Sequence, residues 1–148
     1  MKSIAFYRES LRLHGDDAMT HYNIALGHYY LREREKALEH LVRSLEIDPG
    51  NEDAIVGLAE LLVARGENEL ALQFLARIPE TDRTRHVAAK ARTVLAPDDD
   101  HDATLTALLD RVKTDEDARQ QFVDILELMG PHDPRTAAYR KQLTARLF

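Results

Sequence analysis

Displaced by about 34 residues, the chain falls on itself without a gap. Ile24 and Ala25 land on Leu58 and Ala59, Ala37 and Leu38 on Ala71 and Leu72, Leu41 on Leu75, and Glu33 on Glu67. In the other direction Ser10 and Leu11 match Ser44 and Leu45, Leu13 matches Ile47, and Gly15 matches Pro49. A unit this short cannot bury its own apolar face, so it is stable only when stacked on the next copy. The period therefore restricts the chain to an array of small, repeated supersecondary units.

The content of each copy is helical. Ile24, His28 and Leu31 recur at helical spacing, as do Ile55, Leu58 and Leu62 in the next copy. Ala25, Ala37, Ala59 and Ala71 stand where two helices must approach closely. Arg-Glu-Arg-Glu (32–35) and Arg-Gly-Glu-Asn (65–68) supply the turns, and Asp48-Pro49-Gly50-Asn51 closes the first copy because proline cannot continue a helix. Ala, Leu, Glu and Arg dominate the chain, with only 6 Gly and 5 Pro, which favours helices over strands. The pattern predicts helix pairs at 18–31 with 34–47 and at 52–65 with 68–78, and no strand.

HYNIALGHYYLREREKALEHLVRSLEIDPGN, beginning at His21, resembles a tetratricopeptide repeat, and AIVGLAELLVARGENELALQFLARIP, beginning at Ala54, resembles a second copy cut short by Pro79. His21 and His28 stand where that family usually has aromatics. The resemblance covers residues 3–79 and implies an all-α, helical-hairpin solenoid of about nine helices. On this reading residues 1–148 form one domain: a half repeat or capping helix at 3–15, repeats at 18–51 and 52–79, and divergent helices at 80–148. Ser3 to Leu13 matches only the second helix of a repeat, so either an upstream helix has been removed or this helix is the N-terminal cap.

Beyond Pro79 the period is lost but the helical pattern persists. Thr81 or Asp82 caps a helix carrying Val87, Ala91, Val94 and Leu95, ended by Ala96-Pro97. After an acidic loop, His101-Asp102 open a helix with Leu105, Leu108, Leu109 and Val112. Asp115 to Met129 carries Phe122, Ile125 and Leu126 on one stripe and stops at Gly130-Pro131. Asp133-Pro134 starts the last helix, with Ala138, Tyr139, Leu143 and Leu147 as its apolar residues. ARQQFVDILELMGPHDPRTAAYRKQLTARLF resembles the C-terminal end of thioredoxin-like co-chaperones of the chaperedoxin type, and ALQFLARIPETDR is similar to the same family. The likeness does not extend to a thioredoxin domain or its redox cysteines. It implies chaperone clients or a chaperonin as partners.

Several function classes are disfavoured by composition and motif. A formal charge of −6 lacks the basic surface that nucleic acid requires. No cysteine means no disulfide, thiolate metal site or thiol chemistry. The opening MKSIAFYRES has too short an uncharged run for a secretory signal, and no run approaches the roughly 18 apolar residues of a membrane span, so the expected location is cytoplasmic. His14, His21 and His28 recur every seven residues, about 10.5 Å apart along a helix, too far for one metal ion. The run Asp98-Asp99-Asp100-His101-Asp102 lacks the glycine and the bidentate glutamate of a calcium loop; Leu109 stands at the latter position. There is no G-x-S-x-G and no P-loop. The sequence predicts neither catalysis, nor cofactor, nor metal.

What remains is a recognition surface. Met19, Tyr22, Leu26, Tyr29 and Tyr30 form a second apolar stripe on the leading helix of the first repeat. In tetratricopeptide proteins this face lines the concave groove, so the resemblance implies partner binding by Met19, Tyr22, Asn23, Leu26, Tyr29 and Tyr30, continued by Val56, Glu60 and Val63, with Asp53 and Ala64 at its edges. Tyrosine brings large contact area at low entropic cost. The same stripe, permanently covered by another helix or a second subunit, would instead make the protein an oligomer-forming structural element. Family members that hold the acidic C-terminal tails of heat-shock chaperones clamp the terminal carboxylate with Lys, Arg and Asn on successive leading helices. Here those faces carry Tyr22 and Leu26, then Val56 and Glu60. Calorimetry with such a peptide is expected to detect no micromolar binding.

Overall fold

The computed structural model describes residues 2–93 and 101–148. All regular structure among them is helical. The nine helices are α1 (Ile4–His14), α2 (Ala18–Tyr30), α3 (Arg34–Ile47), α4 (Glu52–Ala64), α5 (Asn68–Leu75), α6 (Asp82–Arg92), α7 (His101–Leu109), α8 (Glu116–Met129) and α9 (Pro134–Leu147). They fall into two compact units, residues 1–80 and 81–148, divided where the 34-residue period ends. Val94, Leu95, the Ala96-Pro97 stop and the acidic residues Asp98 to Asp100 lie outside the described residues.

Local chemistry starts most helices where the sequence places a cap. Asp17 accepts from the Thr20 amide, Asn51 from Ala54, Asp115 from Ala118 and Asp133 from Arg135. Thr81, rather than Asp82, caps α6 in a reciprocal box with Thr84. The two hairpin turns are the same motif. In the first, the Arg32 amide donates to the Tyr29 carbonyl and the Glu33 amide to His28; in the second, Gly66 donates to Val63 and Glu67 to Leu62. The pivot residue is left-handed in both, with φ of 61° at Arg32 and 81° at Gly66.

The first unit stacks hairpin α2–α3 on hairpin α4–α5, with α1 against α2. Ala25, Ala37, Ala59 and Ala71 are almost wholly buried, as are Ile24, Ile55, Leu58 and Leu62. α1 has no fully buried residue, and docks where Gly27 leaves room for Ile4. A Cβ on Gly27 would sit 2.6 Å from the Ile4 Cγ1. In the second unit Leu105, Leu108, Leu109, Val112, Phe122, Ile125 and Leu126 form one cluster, flanked by Met129, Tyr139 and Leu143. The buried carboxylate of Asp124 receives Arg92 from α6 through two hydrogen bonds of 2.7 and 2.8 Å, joining α6 to α8.

Three expectations need correction. Leu31, assigned to the packing stripe, is 63% exposed. It follows the last residue of α2, at the C-cap, where the backbone leaves helical geometry and carries the side chain off the stripe. α5 ends at Leu75 rather than 78, because Arg77 and Ile78 donate to Phe74 and Leu75 in tighter three-residue turns and Ile78 precedes proline. Ala138 is exposed, and the buried residue of α9 is Thr136, whose hydroxyl donates to the Gly130 carbonyl at 2.7 Å.

A side chain at a left-handed pivot is strained by roughly 1–2 kcal/mol, partly offset by the larger unfolded-state entropy of glycine. Arg32→Gly is therefore expected to stabilise the protein by up to about 1 kcal/mol in urea unfolding, and Gly66→Ala to destabilise it by about 1 kcal/mol.

Candidate recognition face

The aromatic stripe of α2 is open along part of its length. Tyr29 and Tyr30 are 50% and 67% exposed, and their rings meet edge to face at 6.0 Å. Met19 is 47% exposed, while Tyr22, Asn23 and Leu26 are half-buried. Tyr22 turns towards α4: its ring edge lies 3.9 Å from where a Cβ on Gly57 would stand. The absent side chain at Gly57 lets that ring approach α4, and Leu41 packs on the same spot. The stripe thus has an inner part, seated on the neighbouring hairpin, and an outer part facing solvent.

The continuation onto α4 is narrower than helical spacing suggests. Glu60 is exposed and Asp53 and Val63 are half-buried, but Val56 is 3% exposed and belongs to the core. α4 is apolar almost all round, with Ala54, Ile55, Val56, Leu58, Ala59, Leu61 and Leu62 buried, as befits a helix packed on several sides. A single helical projection could not reveal this, since Val56 lies only about 40° from Glu60 on the wheel.

Two features escape a helix-by-helix reading because they join residues of different helices. The first is an apolar recess of about 520 Å³ on α3, α4 and α5, formed by Leu38, Val42, Leu58, Leu62, Leu70 and Phe74. Glu35, Glu39 and Arg65 rim it, and Arg65 reaches Glu35 at 3.4 Å. The second is a stack of three imidazoles between α2 and α3. His21 and His40 lie 5.1 Å apart between ring centroids, and His28 and His40 5.7 Å. Their outer partners are carboxylates, with His21 Nε2 at 2.6 Å from Asp16 and His28 Nδ1 at 2.6 Å from Glu33. Arg43, then His21, hold Asp16 below the usual carboxylate range; Lys36, then His28, do the same for Glu33. Burial pushes the His40 imidazole down, helped by His21, His28 and Arg8. The histidine at 40 is the signal missed in sequence, since only folding brings α3 against α2.

A family model described as tetratricopeptide repeat matches residues 34–148, well over half of the chain. It begins at α3 and runs through the half in which no 34-residue period is legible. No match was found among curated proteins or among solved structures.

The uneven exposure of the tyrosines separates their roles. Tyr29→Ala and Tyr30→Ala are each expected to change stability by less than about 0.5 kcal/mol, as exposed positions do. Tyr22→Ala should cost about 1–2 kcal/mol, below the roughly 3–5 kcal/mol of a fully buried aromatic. Urea unfolding of the three single variants measures the difference.

Proposed function

Because the chain belongs to the tetratricopeptide-repeat family, a helical-repeat architecture of protein–protein interaction, we propose that it is a non-catalytic binding module acting as a co-chaperone-like adaptor or holdase. The observation that carries this reading is the open aromatic patch of α2, where Tyr29, Tyr30 and Met19 all stand about half exposed or more. Apolar and aromatic surface grouped on one helix marks a place where another molecule docks. Met19, Tyr22, Asn23, Leu26, Tyr29 and Tyr30 are assigned to that contact, with Glu60 and Val63 along its edge. Val56 takes part only by supporting the face from beneath.

The likeness of residues 118–148 to thioredoxin-like co-chaperones supports chaperone clients or a chaperonin as the protein or peptide partner. Exposed tyrosines bring large contact area at low entropic cost, which suits contact with unfolded segments of varied sequence. No described helix is long and apolar enough to cross a membrane.

The test is suppression of aggregation of a heat-unfolded reporter enzyme, followed by light scattering at several molar ratios. The wild type is expected to suppress aggregation, and Tyr29→Ala with Tyr30→Ala to weaken reporter binding by about 2 kcal/mol, some thirtyfold. Sedimentation of the free protein addresses the alternative of a permanent interface. A stable oligomer that the same double variant dissociates would replace the adaptor reading with the structural one.

A further inference from the structure

The 34-residue register identifies where the first repeat departs from its neighbour. Ile55, Leu62 and Phe74 of the second hairpin correspond to His21, His28 and His40 of the first. Ile55 and Leu62 are core residues, 0% and 5% exposed. Three positions that should hold hydrocarbon therefore hold titratable rings. His21 and His28 are buried to a similar degree, 7% and 3% exposed, and His40 is half-buried between them.

The hydrogen bonds fix how many protons this stack accepts. Asp16 accepts from His21 Nε2–H, leaving His21 Nδ1 to face His40 Nδ1 at 2.8 Å. That short contact needs one proton between the two nitrogens. In the neutral pair His40 Nδ1–H donates it; one proton taken up from solvent at His40 Nε2 still leaves a single proton shared between the two Nδ1 atoms, so the contact survives. A second proton sets two N–H groups against each other across 2.8 Å, and the rings must part. His28 is limited differently. Its Nδ1–H is engaged by Glu33, and Nε2 is buried with no hydrogen-bond partner among the described residues, so protonation there creates a donor with nothing to receive it.

We infer that the imidazole stack of His21, His28 and His40 is an acid-sensitive latch that holds α2 to α3 at neutral pH and releases the first hairpin on acidification, while the second hairpin has no such response.

The charged surroundings set the window. From α1, Arg8 repels a protonated His40, and Glu39 of α3 attracts it; from the α1–α2 connection, Asp16 and Asp17 face His21; Glu33 at the N-cap of α3 faces His28, and α3 adds Lys36 and Arg43. α4, packed on α3, carries Glu52, Asp53 and Glu60. The fold favours the neutral form of His40, whose folded value is depressed. Its contribution is whole above about pH 6.5 and is lost as pH falls from there through the folded value. Asp16 and Glu33, also depressed, keep their contribution until the pH falls below the ordinary carboxylate range near 4. Between the ordinary imidazole value near 6.5 and the carboxylate range near 4, the loss of neutral His40 therefore precedes that of the two carboxylates.

Hydrogen exchange of the full chain by mass spectrometry, corrected for intrinsic rates, tests the latch at pH 7.0 and 5.0. Amides of α2 and α3 are expected to open at least about tenfold more at pH 5.0, while those of α7 and α8 hold their protection. His21→Ile, His28→Leu and His40→Phe together reproduce the second repeat's residues and should abolish the change. Equal opening in that triple variant, or loss spread evenly over both units, overturns the inference. An NMR titration of the wild type needs no variant: the His40 ring should titrate below the ordinary imidazole value, and the amide signals of α2 and α3 should change with it. Amides of α2 and α3 that do not respond while the His40 ring takes up its proton would overturn the latch.

Discussion

The first unit depends on how closely helix backbones approach at four alanines. Ala25, Ala37, Ala59 and Ala71 are between 0% and 2% exposed, and each occupies the same register in its hairpin as its partner 34 residues away. A one-carbon side chain brings two helices near enough for larger neighbours, Ile24, Leu41, Ile55 and Leu58, to fill the grooves on either side. A bulkier residue at any of the four would push a helix outward and open those grooves; overpacking of this kind costs about 1–3 kcal/mol. Hairpin spacing then determines how far α2 stands from α4. Gly57 closes that gap by admitting the ring of Tyr22, and so ties the inner edge of the aromatic stripe to the stacking of repeats.

The two units hold their interiors together with different chemistry. In the second, the apolar cluster around Phe122 is supplemented by one buried carboxylate, Asp124, which is satisfied by Arg92 and by Gln120 at 3.0 Å. In the first, the polar interior is the imidazole stack, with Ser44 donating to the Ala18 carbonyl at 2.8 Å nearby on the same helix pair. A fully satisfied buried group is stable and specific, and a partly satisfied one is a point of weakness. Asp124 belongs to the first kind. His28, with one ring nitrogen unmatched, belongs to the second.

Periodicity made the first unit readable. The two hairpins, their small-residue contacts and the breaker at Pro49 follow from apolar spacing, because repeated units bury repeated faces. Helix ends were less legible: Leu31 and Ile78 lie in terminal turns, where hydrogen bonds to nearby carbonyls decide the path rather than the apolar pattern. The outer part of the candidate face, Tyr29 and Tyr30, was legible as a stripe of one helix. Helical spacing places Val56 on the stripe, but its burial depends on what surrounds α4, and the partnership of His40 with His21 is not legible because their separation in sequence reflects no single helical period. The family match reaches over residues 34–148, including a half in which no 34-residue repeat is visible.

Comparison of matched positions gives the first hairpin an inverted character. Its interior carries His21, His28 and His40 where the second hairpin has Ile55, Leu62 and Phe74. Its outer face carries Met19, Leu26, Tyr29 and Tyr30 where the second has Asp53, Glu60, Val63 and Ala64. Folding alone favours the opposite arrangement, since burying an aromatic ring gains the transfer energy that exposing it forgoes. The second hairpin shows that this backbone accommodates the conventional pattern, so geometry does not force the inversion. The two halves of it meet on one helix: α2 presents His21 and His28 to His40 of α3, and Tyr29 and Tyr30 to solvent. A helix whose attachment is polar and whose free face is aromatic is weakly committed to its own fold and well furnished for contact with another chain. On the proposed reading α2 is the contact helix of the first unit, held by α3, which in turn packs on the second hairpin.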